Sequence, residues 1–546
     1  MADRISYFRQ KGDPYILLTS LGLVISLGMV AFMIWLILSK GLGFFWPSDL
    51  IQVNLKNGNS HLGELRARET AYIAEQEKEQ IQLKIGNREI LGRDFIWIDQ
   101  ANIQSESWPD DAVTFERLEN GNFYGFIQSL HVGEETLTGE SATLFRKCQV
   151  YQDSARNLRE NILDMENDLT NLIEPLTRLH REISLLKIEW GNLSDQDKKE
   201  LEKLEMRAAE LQEQLTPRYE ELSAELQALI TRNRGIFVSV KAATGQIQEI
   251  QLSRVVRFYR PNRMNILAKS GTYIAKLWEF LTAKPRESNT EGGVFPAIFG
   301  TVMMVMLMSI AVVPFGVLAA LYLNEYARQG KIIRLIRLSV NNLAGVPSIV
   351  FGIFGLGFFI YMVGGTIDQI LFSDTLPEPT FGTGGILWAS LTLALLTLPV
   401  VVVATEEGIL AVPKANKEGA LALGSTKWQM IRKIVLPNAM PGILTGLILA
   451  ISRGAGEVAP LMITGVVKLA PSLPLDSAFP FLHLDRKFMH LGFHIYDVGF
   501  QSPNVEAAKP MVYATALLLI LIVLALNLLA IYLRNRLRKK YKSSVF

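Results

Sequence analysis

The sequence predicts an α-helical polytopic membrane protein that carries one large soluble insertion. Apolar residues make up 49% of the 546-residue chain and are clustered in uncharged runs. Several runs exceed the roughly 18 residues that mark a transmembrane helix. Charged residues concentrate instead between positions 50 and 290. Long apolar runs interrupted by one charged region therefore indicate a membrane domain with an inserted aqueous module.

Composition argues against several other classes of protein. The formal net charge of +2 is too small to indicate nucleic-acid binding. The single cysteine, Cys148, excludes an internal disulfide framework and a multi-cysteine metal site. His490 and His494 would share a face if their stretch were helical, but loop histidines are more often solvated than metal-bound. No metal site is predicted.

About six membrane spans are expected at the usual length of about 20 residues. The first, residues 15–38, is uncharged and too long for a signal-peptide core, and no cleavage-site pattern follows it, which indicates a retained anchor. The other expected spans cover residues 294–323, 340–363, 385–404, 440–465 and 511–533.

Basic residues in short segments predict the orientation of these spans. The loop between the third and fourth spans carries Asp368, Asp374 and Glu378 and no lysine or arginine. Both termini and the loops after the second and fourth spans are basic, through Arg4, Arg9, Lys11, Arg328, Lys331, Arg334, Arg337, Lys414, Lys417, Lys427, Arg432, Lys433, Arg534, Arg536, Arg538, Lys539, Lys540 and Lys542. The pattern places both termini in the cytoplasm and the large insertion outside, which is the periplasm in a Gram-negative cell.

Five segments follow from these boundaries. They are a cytoplasmic tail with the first span (1–45), an extracytoplasmic insertion (46–262), an interfacial amphipathic helix with a linker (263–290), a membrane core (291–535) and a basic cytoplasmic tail (536–546). The amphipathic helix is expected to lie on the membrane surface, because apolar residues from Ile266 to Leu281 recur at helical spacing.

The insertion is expected to be a small β-domain from which an antiparallel coiled-coil hairpin projects. Short β-prone runs lie at residues 81–85, 95–98, 237–240, 247–252 and 255–259. Between them, residues 150–232 carry two heptad seams, from Leu158 to Leu186 and from Leu201 to Leu226. Ser194 is the expected N-cap of the second arm, and Pro175 is expected to kink the first. The hairpin is either a stalk packed on itself or a docking element for a partner.

Residues 418–437, here called the EAA loop, carry the motif that indicates the class. Helices are expected at 415–423 and 427–434, with Gly424 ending the first. The spacing resembles the EAA loop of ABC importer permeases, with six residues in register: Glu418, Ala420, Gly424, Ile434, Leu436 and Pro437. Gly419 departs from the family's alanine. A short helix pair is a rigid knob that can fit a groove on an ATPase; the alternative is an ordinary amphipathic loop.

The resemblance extends over residues 280–540, to PstA-type phosphate ABC transporter permeases. It includes the stretches 342–352, 404–407 and 442–446. It implies a type I ABC importer permease core of six spans that imports phosphate by alternating access and catalyses no covalent reaction. The implied partners are a homologous PstC-type permease, a cytoplasmic PstB-type ATPase dimer, an extracytoplasmic PstS-type phosphate-binding protein and the lipid bilayer. The chain has no G-x4-G-K-[ST] phosphate loop, so ATP would be bound by the separate ATPase and no cofactor by this chain.

Arg453 and Glu457 are the expected substrate-pathway pair. Arg453 lies about 13 residues into the expected fifth span, roughly 20 Å deep at 1.5 Å per residue, and Glu457 one turn further. Charges inside a membrane are functional candidates, and a guanidinium gives a tetrahedral oxyanion two parallel hydrogen bonds. We expect phosphate to compete with Glu457 for Arg453; the alternative is a structural salt bridge. Val458 stands where the family has threonine, and Val403 where some members have arginine.

Further pathway residues are expected where the third span begins. Pro347 is expected to break or kink that span, beside Asn342 and Ser348 of the family stretch. Backbone N–H groups at such a half-helix start can face an anion, although a packing kink is the alternative. Glu406 and Glu407 are expected to be solvated or paired with the basic EAA loop.

Two other functions stay open from the sequence. One keeps the transporter class and changes the anion to molybdate or sulfate. The other is a membrane-anchored envelope scaffold or phosphate-signalling protein whose coiled coil is the active part. The six EAA residues in register argue against a scaffold, because a scaffold needs no ATPase socket.

Overall fold

A computed structural model describes residues 13–73, 76–188, 195–477, 479–502 and 505–542. The chain divides into two compact units, residues 1–45 with 275–546 (the membrane unit) and residues 46–274 (the inserted unit). Arg4, Arg9, Lys11 and the expected N-cap Ser194 lie outside the described residues.

The helices are numbered in chain order. They are α1 Asp13–Gly43, α2 Arg88–Leu91, α3 Ser141–Ile188, α4 Asp195–Arg234, α5 Ile266–Thr282, α6 Phe295–Leu321, α7 Lys331–Leu343, α8 Ser348–Phe354, α9 Gly365–Leu371, α10 Ile386–Leu410, α11 Lys414–Ala422, α12 Lys427–Met430, α13 Leu436–Gly454, α14 Ala459–Thr464, α15 Leu491–Tyr496 and α16 Val505–Lys542. π-Helical segments extend α6, α8, α12 and α15 over Tyr322–Tyr326, Gly355–Gly364, Ile431–Val435 and Asp497–Gln501.

Six helical stretches in the described residues are long and apolar enough to cross a membrane, which confirms the predicted number. They are Tyr15–Gly43, Phe295–Tyr326, Ser348–Leu371, Ile386–Leu410, Lys427–Gly454 and Ala508–Arg536. The third and fifth differ most from the expected bounds, and the fifth begins at Lys427 instead of position 440. The third begins at Ser348, because the chain breaks after Leu343 and α7 is a separate helix. The fifth ends at Gly454 and not at position 465.

The fourth span is the centre of the membrane unit. About two-thirds of it is buried, against a third or less of each other span. It packs closely on the fifth span because glycines face small residues there: a Cβ on Gly442 would lie 2.6 Å from the Gly408 Cα and 2.9 Å from the Ala404 carbonyl oxygen. Gly446 repeats the approach one turn further along. Small residues four apart on facing helices let backbones approach in this way.

Two helices present long apolar surfaces. The first span is exposed along most of its length, and it touches the sixth span near Gly41, whose Cβ would lie 3.0 Å from the Tyr513 carbonyl oxygen. Helix α5 confirms the predicted helix before the second span. Its Ile266, Leu267 and Trp278 side chains are 67–81% exposed. The position of α5 at a membrane surface stays a prediction.

The inserted unit contains two antiparallel sheets. Their strands are β1 Leu50–Leu55, β2 Ser60–Ile73, β3 Gln76–Lys84, β4 Phe95–Asp99, β5 Ile103–Ser107, β6 Val113–Arg117, β7 Phe123–Val132, β8 Glu135–Leu137, β9 Ile236–Lys241, β10 Ile247–Gln251 and β11 Val255–Tyr259. The orders are β4-β3-β2-β1-β5 and β10-β9-β7-β6-β11, with β8 beside β7. Two short strands in the membrane unit, β12 Pro285–Arg286 and β13 Glu291–Gly292, form a separate pair.

Helices α3 and α4 form the predicted hairpin, and α3 begins nine residues before the expected start at position 150. Seam residues on both arms are buried: Leu158, Ile162, Leu179, Ile183, Leu201 and Ala208. The first arm stays helical through Pro175. At its base, α3 packs on the second sheet, and Cys148 is fully buried in that core beside Leu144 and Val238.

Candidate functional site

The EAA loop folds as a helix, a glycine turn and a second helix, and the second helix continues into the fifth span instead of ending at position 434 as predicted. Helix α11 ends at Ala422, and Gly424 adopts a left-handed backbone with φ of +82°, which favours glycine. Thr426 then caps α12: its hydroxyl accepts the Gln429 N–H at 3.2 Å while the Gln429 side chain accepts the Thr426 N–H at 2.9 Å. Reciprocal capping fixes the angle at which the second helix starts.

The motif residues divide between an exposed rim and a packed base. Glu418, Gly419 and Gly424 are exposed, Ala420 is buried, and Ile434, Leu436 and Pro437 are half-buried. Three large apolar side chains of the loop are also exposed: Leu421 at 46%, Leu423 at 89% and Trp428 at 56%. The loop is therefore a knob anchored from below, with an apolar tip.

Basic residues of α11 and α12 form polar contacts with the end of the second span. The Lys417 ammonium lies 2.7 Å from the Glu325 carboxylate. Lys427 donates to the main-chain carbonyl of Glu325, and its ammonium lies 4.7 Å from the centre of the Tyr326 ring. Glu325 was not among the predicted site residues, although an acidic residue directly after a long apolar run is a signal that can be read from sequence.

Glu406 has a different partner from the one expected. Its carboxylate lies 3.3 Å from Nε of Arg337 in α7, and it accepts a hydrogen bond from Asn324 Nδ2 at 3.1 Å. Glu406 was expected to be solvated or paired with the EAA loop; it is largely buried and pairs with α7 instead, while Glu325 pairs with Lys417. Glu407 is exposed, as expected of a solvated carboxylate.

Arg453 lies near the end of helix α13. Helix α13 ends one residue later at Gly454, and residues 455–458 form an irregular link to α14. Two glycines and Pro460 account for the break, since glycine disfavours a helix interior and proline disfavours the helical conformation before it. The adjacent Gly454 packs against Met308, near the middle of the second span, and the expected depth of Arg453 in the membrane stays a prediction. The carbonyl end of α13 carries partial negative charge, which stabilises the Arg453 cation.

The Arg453 guanidinium is loosely held. Its Nε lies 3.7 Å from a Glu457 carboxylate oxygen, an ion-pair distance that is too long for a hydrogen bond. The two side chains are 31% and 21% exposed. Within the described residues, no group accepts a hydrogen bond from this guanidinium. Its donors are thus available to an anion.

Asn527 of the sixth span holds the turn that carries Arg453. The Asn527 amide donates to the Ser452 hydroxyl at 2.8 Å, and the two side chains approach again at 3.0 Å. Asn527 was not among the predicted site residues. The signal was available, because a polar amide inside an apolar span usually has a partner or a function.

The other predicted pathway residues lie at the break between α7 and α8, and α8 packs against α14: a Cβ on Gly352 would lie 2.7 Å from the Pro460 Cα. Asn342 and Pro347 are exposed and Ser348 is half-buried. The break itself was predicted and is confirmed. Arg453 is about 39 Å along the helix from Lys427 of the EAA loop at 1.5 Å per residue. No hydrogen bond or ion pair among the described residues joins Arg453 to these three residues.

His490 and His494 are buried, which corrects the expectation that they are solvated. Their exposed fractions are 0% and 1%, and His490 Nδ1 caps α15 by accepting the Gly492 N–H at 3.1 Å. Burial lowers the pKa of each imidazole to about 4. Both rings are therefore neutral near pH 7. Gly492 packs against Val458, because a Cβ on that glycine would lie 2.9 Å from a Val458 methyl.

Comparisons with known proteins decide the family. The model for the binding-protein-dependent transport system inner membrane component matches residues 312–542. The phosphate transport system permease protein PstA 1 of Mycobacterium tuberculosis (strain H37Rv) is 36% identical over 244 residues, covering 44% of this chain and 70% of the relative. This chain belongs to the PstA-type permease family. PstA of Yersinia pestis is 33% identical over 251 residues, 46% of this chain and 75% of the relative.

A further member of the wider class gives the same result. The probable ABC transporter permease protein YqgI of Bacillus subtilis (strain 168) is 31% identical over 268 residues, 48% of this chain and 85% of the relative. As a PstA-type permease, the chain is a multi-pass inner-membrane subunit of an ABC importer. The family model includes the EAA loop, Arg453 and Glu457 and does not include the inserted unit.

Proposed function

We propose that this permease carries inorganic phosphate across the cytoplasmic membrane, driven by a separate ATPase. The PstA proteins to which it is similar are named for phosphate transport. The observation that carries the proposal is Arg453, a partly exposed guanidinium whose hydrogen-bond donors have no acceptor among the described residues. A guanidinium presents a fork of donors that suits a tetrahedral oxyanion. During passage, phosphate competes with Glu457 for this cation.

The pathway needs partners that the chain does not supply. We place it between this permease and a homologous PstC-type permease, lined by Asn342, Pro347 and Ser348 together with Arg453 and Glu457. A PstB-type ATPase dimer hydrolyses ATP, and a PstS-type protein delivers phosphate. Asn342→Leu in an uptake assay tests the placement of the first group, because an apolar side chain at the pathway should slow phosphate entry or exit.

The orientation follows from the basic residues. Both termini lie in the cytoplasm and the inserted unit lies outside, because the segments rich in lysine and arginine stay on the cytoplasmic side. Protease added to intact spheroplasts checks this: cleavage in the inserted unit supports the orientation, and protection contradicts it.

Labelled-phosphate uptake at low external phosphate tests the function. Cells lacking this chain should lose high-affinity uptake, and cells in which it is restored should regain it, with the second permease and ATPase present in both. Excess molybdate or sulfate should not compete. Uptake that is indifferent to the chain contradicts the proposal, and competition by either anion would reassign the cargo.

The EAA loop couples the permease to the ATPase. Its exposed Leu421, Leu423 and Trp428 offer an apolar tip, and its base is packed into the membrane unit. Because the base of the loop is packed against the spans, a displacement of the loop by the ATPase displaces the spans as well.

Gly424→Val should abolish uptake while the permease still reaches the membrane. Valine at φ of +82° costs about 1–3 kcal/mol of local strain and redirects α12, yet a Cβ there meets open space, so packing is kept. Gly419→Ala is the matched control: it restores the family residue in open space and should keep full uptake. Uptake and co-purification of the ATPase are measured. Normal uptake by Gly424→Val would contradict coupling through this loop.

A further inference from the structure

Three consecutive residues at the end of the second span contact four other helices. Asn324, Glu325 and Tyr326, here called the junction, lie in the π-helical segment that extends α6. π-Helical turns are uncommon and often occur at functional positions. Nothing in the EAA motif or in the Arg453 region accounts for this concentration of polar contacts.

Glu325 and Tyr326 hold the EAA loop. Glu325 pairs with Lys417 of α11 at 2.7 Å, and the two side chains are only 12% and 19% exposed. Lys427, next to the capped start of α12, bonds the Glu325 carbonyl and covers the Tyr326 ring. The two helices of the loop are thus attached to adjacent residues of one span. Ion pairs this poorly exposed are screened less by solvent than surface pairs.

Asn324 holds α7 and the fourth span from the same point. Its amide donates to Glu406 at 3.1 Å, and its Oδ1 accepts from Arg337 at 3.1 Å. Arg337 also donates to the Leu323 carbonyl at 3.2 Å. Helix α7 ends at Leu343, six residues after Arg337, and the chain then breaks before the third span. The junction therefore connects the EAA loop to the helix that leads into that break.

We propose that the junction transmits displacement of the EAA loop to α7 and the start of the third span, with Glu325 and Lys417 as positioning residues. The inference rests on the proposed coupling function of the loop. Glu325 keeps α11 in register with the second span, and Asn324 keeps α7 in register with the same span. When the ATPase moves the loop, the third span moves with it, because both attachments lie on neighbouring residues.

The test compares transport with ATP hydrolysis in proteoliposomes that contain the complete importer and its phosphate-binding protein. Glu325→Gln and Lys417→Met should each lower phosphate transported per ATP hydrolysed about tenfold, the size of coupling that contacting residues show in double-mutant cycles. The charge-exchanged double variant Glu325→Lys with Lys417→Glu should recover to within about threefold of the native ratio. Recovery stays incomplete because Lys427 lies beside the exchanged lysine.

Glu407→Gln is the matched control, since Glu407 is an exposed carboxylate beside Glu406. It should leave the ratio unchanged. The proposal is overturned if the single variants keep the native ratio, or if they lose complex from the membrane and the surviving complex transports normally, as a purely structural pair would.

A parallel measurement on Gly424→Val separates the two proposals. Loss of coupling in Gly424→Val with native coupling in Glu325→Gln overturns the junction and leaves the function of the EAA loop standing. Native coupling in both variants overturns both. Loss in both, with recovery in the charge-exchanged variant, supports both.

Discussion

Replacing Arg453 with glutamine should abolish phosphate uptake and leave the amount of permease in the membrane unchanged. The guanidinium contributes charge-assisted hydrogen bonds to the anion, each worth about 1.5–3 kcal/mol, so losing two of them lowers uptake at least about a hundredfold. Folding should be little affected, because the only ion pair of Arg453 in the described residues spans 3.7 Å. Initial uptake rates and immunodetection of the permease in membranes measure the two quantities.

Arg534→Gln is a suitable control for Arg453→Gln. Arg534 is a second arginine of the spans, whose nearest polar contact in the structure is the Thr445 hydroxyl at 3.5 Å, and it should retain most uptake. Glu457→Gln removes the competing carboxylate and should retain measurable uptake. If Arg453→Gln instead depletes the permease and Glu457→Gln added to it restores the amount, the pair is a structural salt bridge and the pathway assignment is wrong.

Replacing Gly442 with leucine should deplete the permease from the membrane. A Cβ at this position meets the Gly408 Cα at 2.6 Å and the Ala404 carbonyl at 2.9 Å, and both are backbone atoms that cannot rotate away. Overfilling a packed core commonly costs about 1–3 kcal/mol, and separating two buried spans costs more. Losses of about 1–2 kcal/mol already change protein abundance several-fold in cells. Quantitative immunoblotting of membranes and thermal stability in detergent measure the effect.

Gly22→Leu provides the contrast for Gly442→Leu. Gly22 lies in the first span, where a Cβ meets no atom within 4 Å, so leucine should be accepted without loss of permease. Equal abundance of the two variants would show that the contact between the fourth and fifth spans does not limit folding.

The spans and the EAA loop could be predicted from sequence because their signals are local. A run of about 20 apolar residues suffices to mark a span, and a left-handed glycine between two helical segments marks the turn of the loop. The break before Ser348 was also readable, since proline removes a backbone donor and restricts the residue before it.

The ends of the third and fifth spans were harder to predict because apolar composition does not distinguish a continuous helix from a broken one. Residues 440–465 form one apolar run with an internal arginine, yet Gly454, Gly456 and Pro460 divide it. The contacts of Glu406 were unpredictable for another reason. Its partner Arg337 is 69 residues away in sequence. Glu325, the carboxylate that pairs with Lys417 in place of Glu406, is brought near that lysine only by the folding of the second span.

The strands of the inserted unit were partly missed for a related reason. β2 and β5 are rich in polar and charged residues and have few β-branched side chains. Both strands are stabilised by pairing with β1, which lies between them in the sheet. Sheet pairing of this kind depends on tertiary context and not on local propensity alone. β9 to β11 are rich in valine and isoleucine and were predicted.

The burial of Cys148 makes the native chain suited to site-directed labelling. It is the only cysteine in the sequence, and burial raises the pKa of its thiol to about 12. The thiolate is the form that attacks maleimides and disulfides, so this side chain should stay unmodified near neutral pH. Cysteines introduced at the exposed positions Gly419 and Glu407 would then carry probes alone, and changes in their separation during ATP turnover could be followed without first removing the natural thiol.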